Sequence, residues 1–146
     1  MMEYHIDIHE CRMVSSRPVA PKAALCEFPE MNNAWGHRKR YAYTNTREEG
    51  VDFTNSLQKV DMDTGECSDL ISFGDGVYAG SPVFVPKDSA QKEDDGYIFT
   101  QLYRAKDHSS DVCILDATSM KKLAQLRLAK PVPYQFHGCW YPGAFL

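Results

Sequence analysis

No stretch of this 146-residue sequence comes near the about 18 consecutive apolar residues that a membrane-spanning helix needs. The opening segment Met1 to Asp7 carries neither a basic cluster nor an apolar run, so a secretory leader is not expected. Cysteine is sparse and scattered: Cys11, Cys26, Cys67, Cys113 and Cys139 form no CxxC pair. That excludes a ribbon-type zinc site and argues against a disulfide framework, leaving reduced thiols in an intracellular compartment, cytoplasmic or plastid. Excess positive charge is also missing. The formal charge is −4, and the one basic run, Arg38-Lys39-Arg40, is short, so nucleic acid is not an expected partner. Helical periodicity is absent as well, which removes bundles and coiled coils from consideration.

What remains is alternation with period two. Tyr4, Ile6 and Ile8 alternate with His5, Asp7 and His9, as on a half-buried strand. The same pattern predicts strands over 41–44, 56–62, 83–85, 97–103, 112–115, 123–128 and 132–136. Turn-forming clusters separate them, among them Asp63-Thr64-Gly65, Asp75-Gly76 and Asp94-Asp95-Gly96. Many short strands at regular spacing imply an all-β sandwich, barrel or propeller. A repeat favours the last. Ile6-Asp7-Ile8, Val60-Asp61-Met62 and Leu115-Asp116-Ala117 each end a strand before a polar turn, with the aspartates 54 and 55 positions apart. Propeller blades recur at about 40–50 residues. A chain of this length holds two to three such units, whereas propellers close with about four or more. The expected architecture is therefore a partial β-propeller, with residues 1–146 as a single incomplete domain.

Seven segments, read in order, resemble the C-terminal third of the carotenoid cleavage oxygenases, the family that includes stilbene-cleaving oxygenases and the retinoid isomerase. Glu27-Phe28-Pro29-Glu30-Met31-Asn32 is similar to an E-F-P-x-[IV]-N element, and Arg40-Tyr41-Ala42-Tyr43 to the R-Y-x-Y strand after it. Leu57 to Glu66 resembles an L-x-K-x-D-x-x-T-G hairpin. Ser81 to Pro86, Glu93 to Tyr97, Ile114 to Ala117 and the V-P-x-x-F-H-G run Val132 to Gly138 complete the series.

The resemblance implies the C-terminal blades of a seven-bladed propeller with Fe(2+) on its axis, held by four histidines, each leaning on outer groups that include glutamates. It implies dioxygen and an apolar polyene or stilbene-like alkene as substrates, with oxidative cleavage of a C=C bond. Carried over by motif, His137 is the metal ligand in this chain and Glu27 the carboxylate that supports a ligand. Gly138 would permit close backbone approach beside it. A neutral imidazole suits iron, and a carboxylate behind such a ring fixes its tautomer. The pattern breaks at Ser81, where the family commonly has glutamate; an uncharged hydroxyl orients an imidazole more weakly. The other three ligands would lie before residue 1, and the isolated chain is expected to be inactive. Family members take apolar substrates from membranes, which implies peripheral membrane contact of the longer protein, although no amphipathic docking stretch stands here. A second reading stays open: a non-catalytic propeller piece that binds an apolar ligand or a protein through its open edges.

Overall fold

The computed structural model describes residues 1–143 apart from 22 and 24; the last three positions of the expected domain lie outside the described residues. Its regular elements are eleven strands, and none of the described residues forms a helix able to cross a membrane. β1 (Met2–Asp7) and β2 (Arg12–Pro18) pair as a hairpin. β3 (Glu27–Glu30), β4 (Tyr41–Thr46), β5 (Ser56–Asp61) and β6 (Ile71–Ser72) form a second antiparallel sheet in sequence order. The third sheet holds β7 (Val77–Ala79), β8 (Val83–Pro86), β9 (Gly96–Arg104), β10 (Ser109–Asp116) and β11 (Lys122–Arg127). Here β7 and β8 both pair with one side of β9, while β10 and then β11 continue on the other. Three successive sheets that do not close on themselves are the partial propeller anticipated above.

The 54- and 55-residue recurrence has a structural basis. Asp7 accepts hydrogen bonds from the backbone of His9 and Glu10, both at 3.0 Å. Asp61 accepts them from Asp63 and Thr64, and Asp116 from the backbone and hydroxyl of Ser119 at 2.8 Å. Four residues beyond each aspartate the backbone turns left-handed, at Cys11 (φ 49°), Gly65 (φ 75°) and Met120 (φ 57°). A short acidic side chain that satisfies two turn donors thus ends one strand and aims the next in each sheet.

The core lies between the second and third sheets. Tyr43 and Leu57 from one meet Phe84, Ile98, Leu102, Cys113 and Leu115 from the other. Strand β9 shows why one face is inside: Ile98 and Leu102 are buried, while Tyr97, Phe99 and Tyr103 at the alternate positions stay half-exposed. Tyr43 also donates its hydroxyl to the Ala117 carbonyl at 3.0 Å across the sheets, and burial pushes its phenol far above the usual range. The Glu93–Asp94 turn is the second tie. The Glu93 carboxylate accepts the Arg40 and Tyr41 amides, and Asp94 pairs with Lys59 of β5 at 2.7 Å.

The expectation of a strand over 132–136 is not met: the segment joins no sheet, and the chain bends at Phe136. Pro131 and Pro133 remove two amide donors from alternate positions, so one edge of the segment cannot enter a ladder. Conversely β2, β3, β6 and β7 carry no period-two signature. β2 is exposed along its whole length, β6 and β7 are two and three residues long, and β3 is interrupted by a bulge.

Candidate functional site

The two sheets present neighbouring edges, β3 in one and the β7–β8 line in the other, and both edges are irregular. In β3, Glu27 faces Asn45 and Glu30 faces Tyr43, so Phe28 and Pro29 stand opposite the single residue Thr44. The extra residue is a β-bulge, and Phe28 within it takes a left-handed conformation, φ 48°. In the third sheet Ala79 pairs with Leu102 and Val83 with Phe99. Gly80, Ser81 and Pro82 therefore oppose only Thr100 and Gln101, a second one-residue bulge. It is closed by the Gly80 amide donating to Gln101 O at 2.7 Å and the Thr100 hydroxyl donating to Gly80 O at 2.8 Å.

The bulge in β3 changes which side chains share a face. Partners across an antiparallel pair lie on one side, and Tyr43 and Asn45 are two apart, so Glu27 and Glu30 face the same way. That way is toward the third sheet: Asn45 donates to Ala79 O at 2.8 Å, and Glu30 accepts the Phe84 amide at 3.3 Å. Burial raises the Glu30 carboxyl above its ordinary value, and the Phe84 bond only partly offsets this. Glu27 remains exposed at the sheet edge.

Onto these edges the segment after β11 is laid. Gln101 donates to the carbonyls of Val132 (2.9 Å) and Pro133 (3.1 Å), and the Val132 amide donates to the Ser110 hydroxyl at 3.0 Å. The Tyr134 hydroxyl reaches Ala79 O at 3.2 Å, a carbonyl that also receives Asn45 and Thr54. At Gly138 a β-carbon would stand 3.4 Å from the Val83 side chain, an ordinary contact, so no close backbone approach calls for glycine there.

His137 thereby arrives exposed, beside the bulge of β3. Its imidazole meets the Phe28 ring edge-to-face, centroids 5.0 Å apart at 85°, and Phe28 meets Phe136 in the same manner at 5.6 Å and 83°. Tyr134, Phe53 and Tyr78 extend this aromatic row. A cavity of about 420 Å³, lined by Glu30, Asn32, Phe84, Gly138 and Trp140, opens next to it. Among the described residues no hydrogen bond joins Glu27 to His137; the neighbour of Glu27, Phe28, makes the contact. The Ser81 hydroxyl reaches only the carbonyl of Pro82, at 3.5 Å. The remaining histidines stand elsewhere: His5 against Glu3, His108 against the Tyr103 hydroxyl at 2.7 Å, His9 in the first turn and His37 in the exposed connection from β3 to β4. No three potential metal-binding side chains come together among the described residues. An accessible imidazole that makes no hydrogen bond among the described residues is chemically able to serve as one nitrogen donor to a metal completed by other residues.

Phe28 and Glu30 have no counterpart among the expected site residues. The signal for both is the bulge, and Phe28-Pro29 reads in sequence as a turn.

The family model described as Retinal pigment epithelial membrane protein matches residues 1–142. The apocarotenoid-15,15'-oxygenase of Synechocystis is 34% identical over 120 residues, covering 79% of this chain and 24% of the relative. The carotenoid cleavage oxygenase of Mycobacterium tuberculosis is 33% identical over 123 residues, 80% of this chain and 24% of the relative. The chloroplastic carotenoid cleavage dioxygenase 8 homolog A of rice is 31% identical over 107 residues, covering 73% and 19%. Among solved structures, cobalt-substituted Synechocystis ACO superposes with a TM-score of 0.84 at 30% identity, covering 96% of this chain and 29% of that one. An ACO/RPE65 chimera superposes at 0.83 and 29% identity, with the same coverage. The chain spans about a fifth to a quarter of the length of these curated relatives.

Proposed function

The chain belongs to the carotenoid oxygenase family, and from that membership we propose that it forms the C-terminal, metal-contributing part of a non-heme iron(II) dioxygenase. In this reading residues 1–146 are one incomplete propeller domain, and a carotenoid, apocarotenoid or stilbene-like alkene is cleaved at a C=C bond. Both atoms of dioxygen end in the two carbonyl products, so the reaction needs no further reductant. Iron, when bound, supplies the activation of dioxygen beside the alkene.

The chain's own residues do the rest of what is asked of it. His137 gives one neutral nitrogen donor. Glu27, at the edge of the same site, offers a carboxylate to support a ligand ring. Phe28, Phe136, Tyr134 and Phe53 form an aromatic wall beside that donor and keep water from an apolar substrate. One imidazole does not retain iron against water, so the 146-residue chain alone is inactive. An intracellular location, cytoplasmic or plastid, accords with this reading, and the rice and Arabidopsis relatives named as chloroplastic support it. Peripheral membrane contact of the longer protein belongs to the same reading.

The observation that carries the proposal is the delivery of His137, from a V-P-x-x-F-H-G run, to the site between the bulged edges. The test is metal content by elemental analysis of this chain and of a longer form that supplies the remaining blades. Iron is expected in the longer form only and is lost with His137→Ala; iron that survives the substitution overturns the assignment. Ser81, standing where the family commonly has glutamate, favours one alternative, a propeller kept for binding an apolar ligand or a protein. Absence of iron from the longer form would select it.

A further inference from the structure

From the bulge in β3 we infer that Phe28 is a positioning residue: it orients the His137 imidazole, and the left-handed turn of its backbone exists to aim it. The inference rests on the reading of His137 as a metal ligand and deepens it.

Three observations carry it. First, the backbone of Phe28 lies at φ 48°, a region that β-carbon sterics disfavour for any residue other than glycine. Glycine, the residue that would relieve this, is not used, and a large ring occupies the position instead. Second, the bulge takes Phe28 out of the alternation that sends Glu27 and Glu30 toward the third sheet, and turns its ring to the segment after β11. There it meets two consecutive residues, Phe136 at 83° and His137 at 85°, both in the near-perpendicular arrangement that aromatic quadrupoles favour. Third, His137 lies in a stretch that belongs to no sheet, and among the described residues its ring takes part in no hydrogen bond. The anchors, the backbone carbonyls of Val132 and Pro133 and the hydroxyl of Tyr134, stop three residues short of it.

An aromatic contact orients an imidazole without consuming a nitrogen lone pair, which suits a ring whose nitrogen is to be given to a metal. Where a metal-bound histidine commonly leans on a carboxylate or a carbonyl, this one leans on a ring. The device also links the supporting carboxylate to the donor. Glu27 and Phe28 are adjacent, so one bulge sets the places of both.

Two readouts test this, one of them independent of metal. In the 146-residue chain labelled at histidine, with the His137 signals identified by their loss in His137→Ala, the ring current of Phe28 shifts the imidazole protons away from exposed-histidine positions. Phe28→Leu brings them back, and Phe28→Tyr, which keeps the ring, preserves the shift. In the longer, iron-loaded form, Phe28→Leu weakens iron retention about tenfold, the scale of losing a group that orients a ligand, while Phe28→Tyr stays near the parent. Phe28→Gly guards against a folding failure of the leucine variant, since it removes the ring while relieving the backbone. Unchanged His137 signals and unchanged iron retention in Phe28→Leu or Phe28→Gly overturn the inference while leaving the ligand assignment standing. Iron kept by His137→Ala defeats the assignment itself, whatever Phe28 does.

Discussion

Removing the Asp94 carboxylate should be among the most damaging single changes available to this chain. Lys59 projects from β5 into the seam between the second and third sheets, with only 11% of its side chain exposed and 9% of that of Asp94. Its ammonium lies 2.7 Å from Asp94, donates to Thr118 O at 3.2 Å, and sits 4.2 Å from the centroid of the Tyr41 ring. In Asp94→Ala the charge stays buried without its counter-ion, a situation that costs about 3–5 kcal/mol. The Thr118 carbonyl and the Tyr41 face remain and return about 1 kcal/mol of that. A net loss of about 3 kcal/mol corresponds to a fall in melting temperature of roughly 6–12 °C for a chain of this size. The companion variant Lys59→Met/Asp94→Ala should lose less, about 1–2 kcal/mol, because no charge is left stranded. Urea unfolding followed by the fluorescence of Trp35 and Trp140 reads both, and an unchanged denaturant slope shows that the comparison is between like states. If Asp94→Ala costs under about 1 kcal/mol, as an exposed pair would, or if the double variant is the worse of the two, the argument from burial is wrong.

Tyr43→Phe removes the hydroxyl that donates to Ala117 O and should cost about 1–2 kcal/mol in the same unfolding experiment, with the fold unchanged. Cys11→Gly should stabilise by about 0.5–1 kcal/mol, since φ 49° is free for glycine and Cys11 is exposed; a loss would mean that the first hairpin turn is held by its side chain. Folding lowers the Asp61 carboxyl, chiefly through its hydrogen bonds from Arg40, so it adds stability above its unfolded value near about 4. That contribution disappears as pH falls through the lower, folded value, and Asp61→Asn should flatten the acid limb of stability against pH below about 4; an unaltered limb would remove Asp61 from the account.

The parts of this molecule that were legible from sequence are those where one physical signal acts alone. Strand β9 alternates because one face meets a core and the other does not, and β10 does the same from Asp111 onward. The aspartate repeat was visible because the turn needs a short acceptor at one position, and the same side-chain chemistry recurs at Asp7, Asp61 and Asp116. The site was only half visible. His137 and Glu27 could be named from their motifs, but the contact runs through Phe28, whose role depends on a backbone angle that no composition or period encodes. Strand β3 was hidden for the same reason: its bulge breaks the alternation, and Phe28-Pro29 imitates a turn. The segment 132–136 misled in the opposite sense. Its apolar alternation resembles a strand, while Pro131 and Pro133 deny it the donors that pairing requires. Lys59 and Asp94 lie 35 positions apart, and only the packing of two sheets reveals that the two charges meet.

The two bulges make length, rather than residue identity, the sensitive variable at this edge. Each strand carries one residue more than its partner, and that surplus decides which side chains lie to one side of it. Deleting a single residue at 28 or 29 would restore a regular ladder in which Glu27 and Glu30 still share a face, but it would remove the bulge that sets the place of the Phe28 ring. The product would be a more regular strand without the turn that brings Phe28 to His137. Substitutions here can be graded by size and charge, but a one-residue deletion acts as a switch. In a descendant of this chain, the count of residues between Glu27 and Glu30 is therefore a more telling mark of a kept bulge than the letters that fill it.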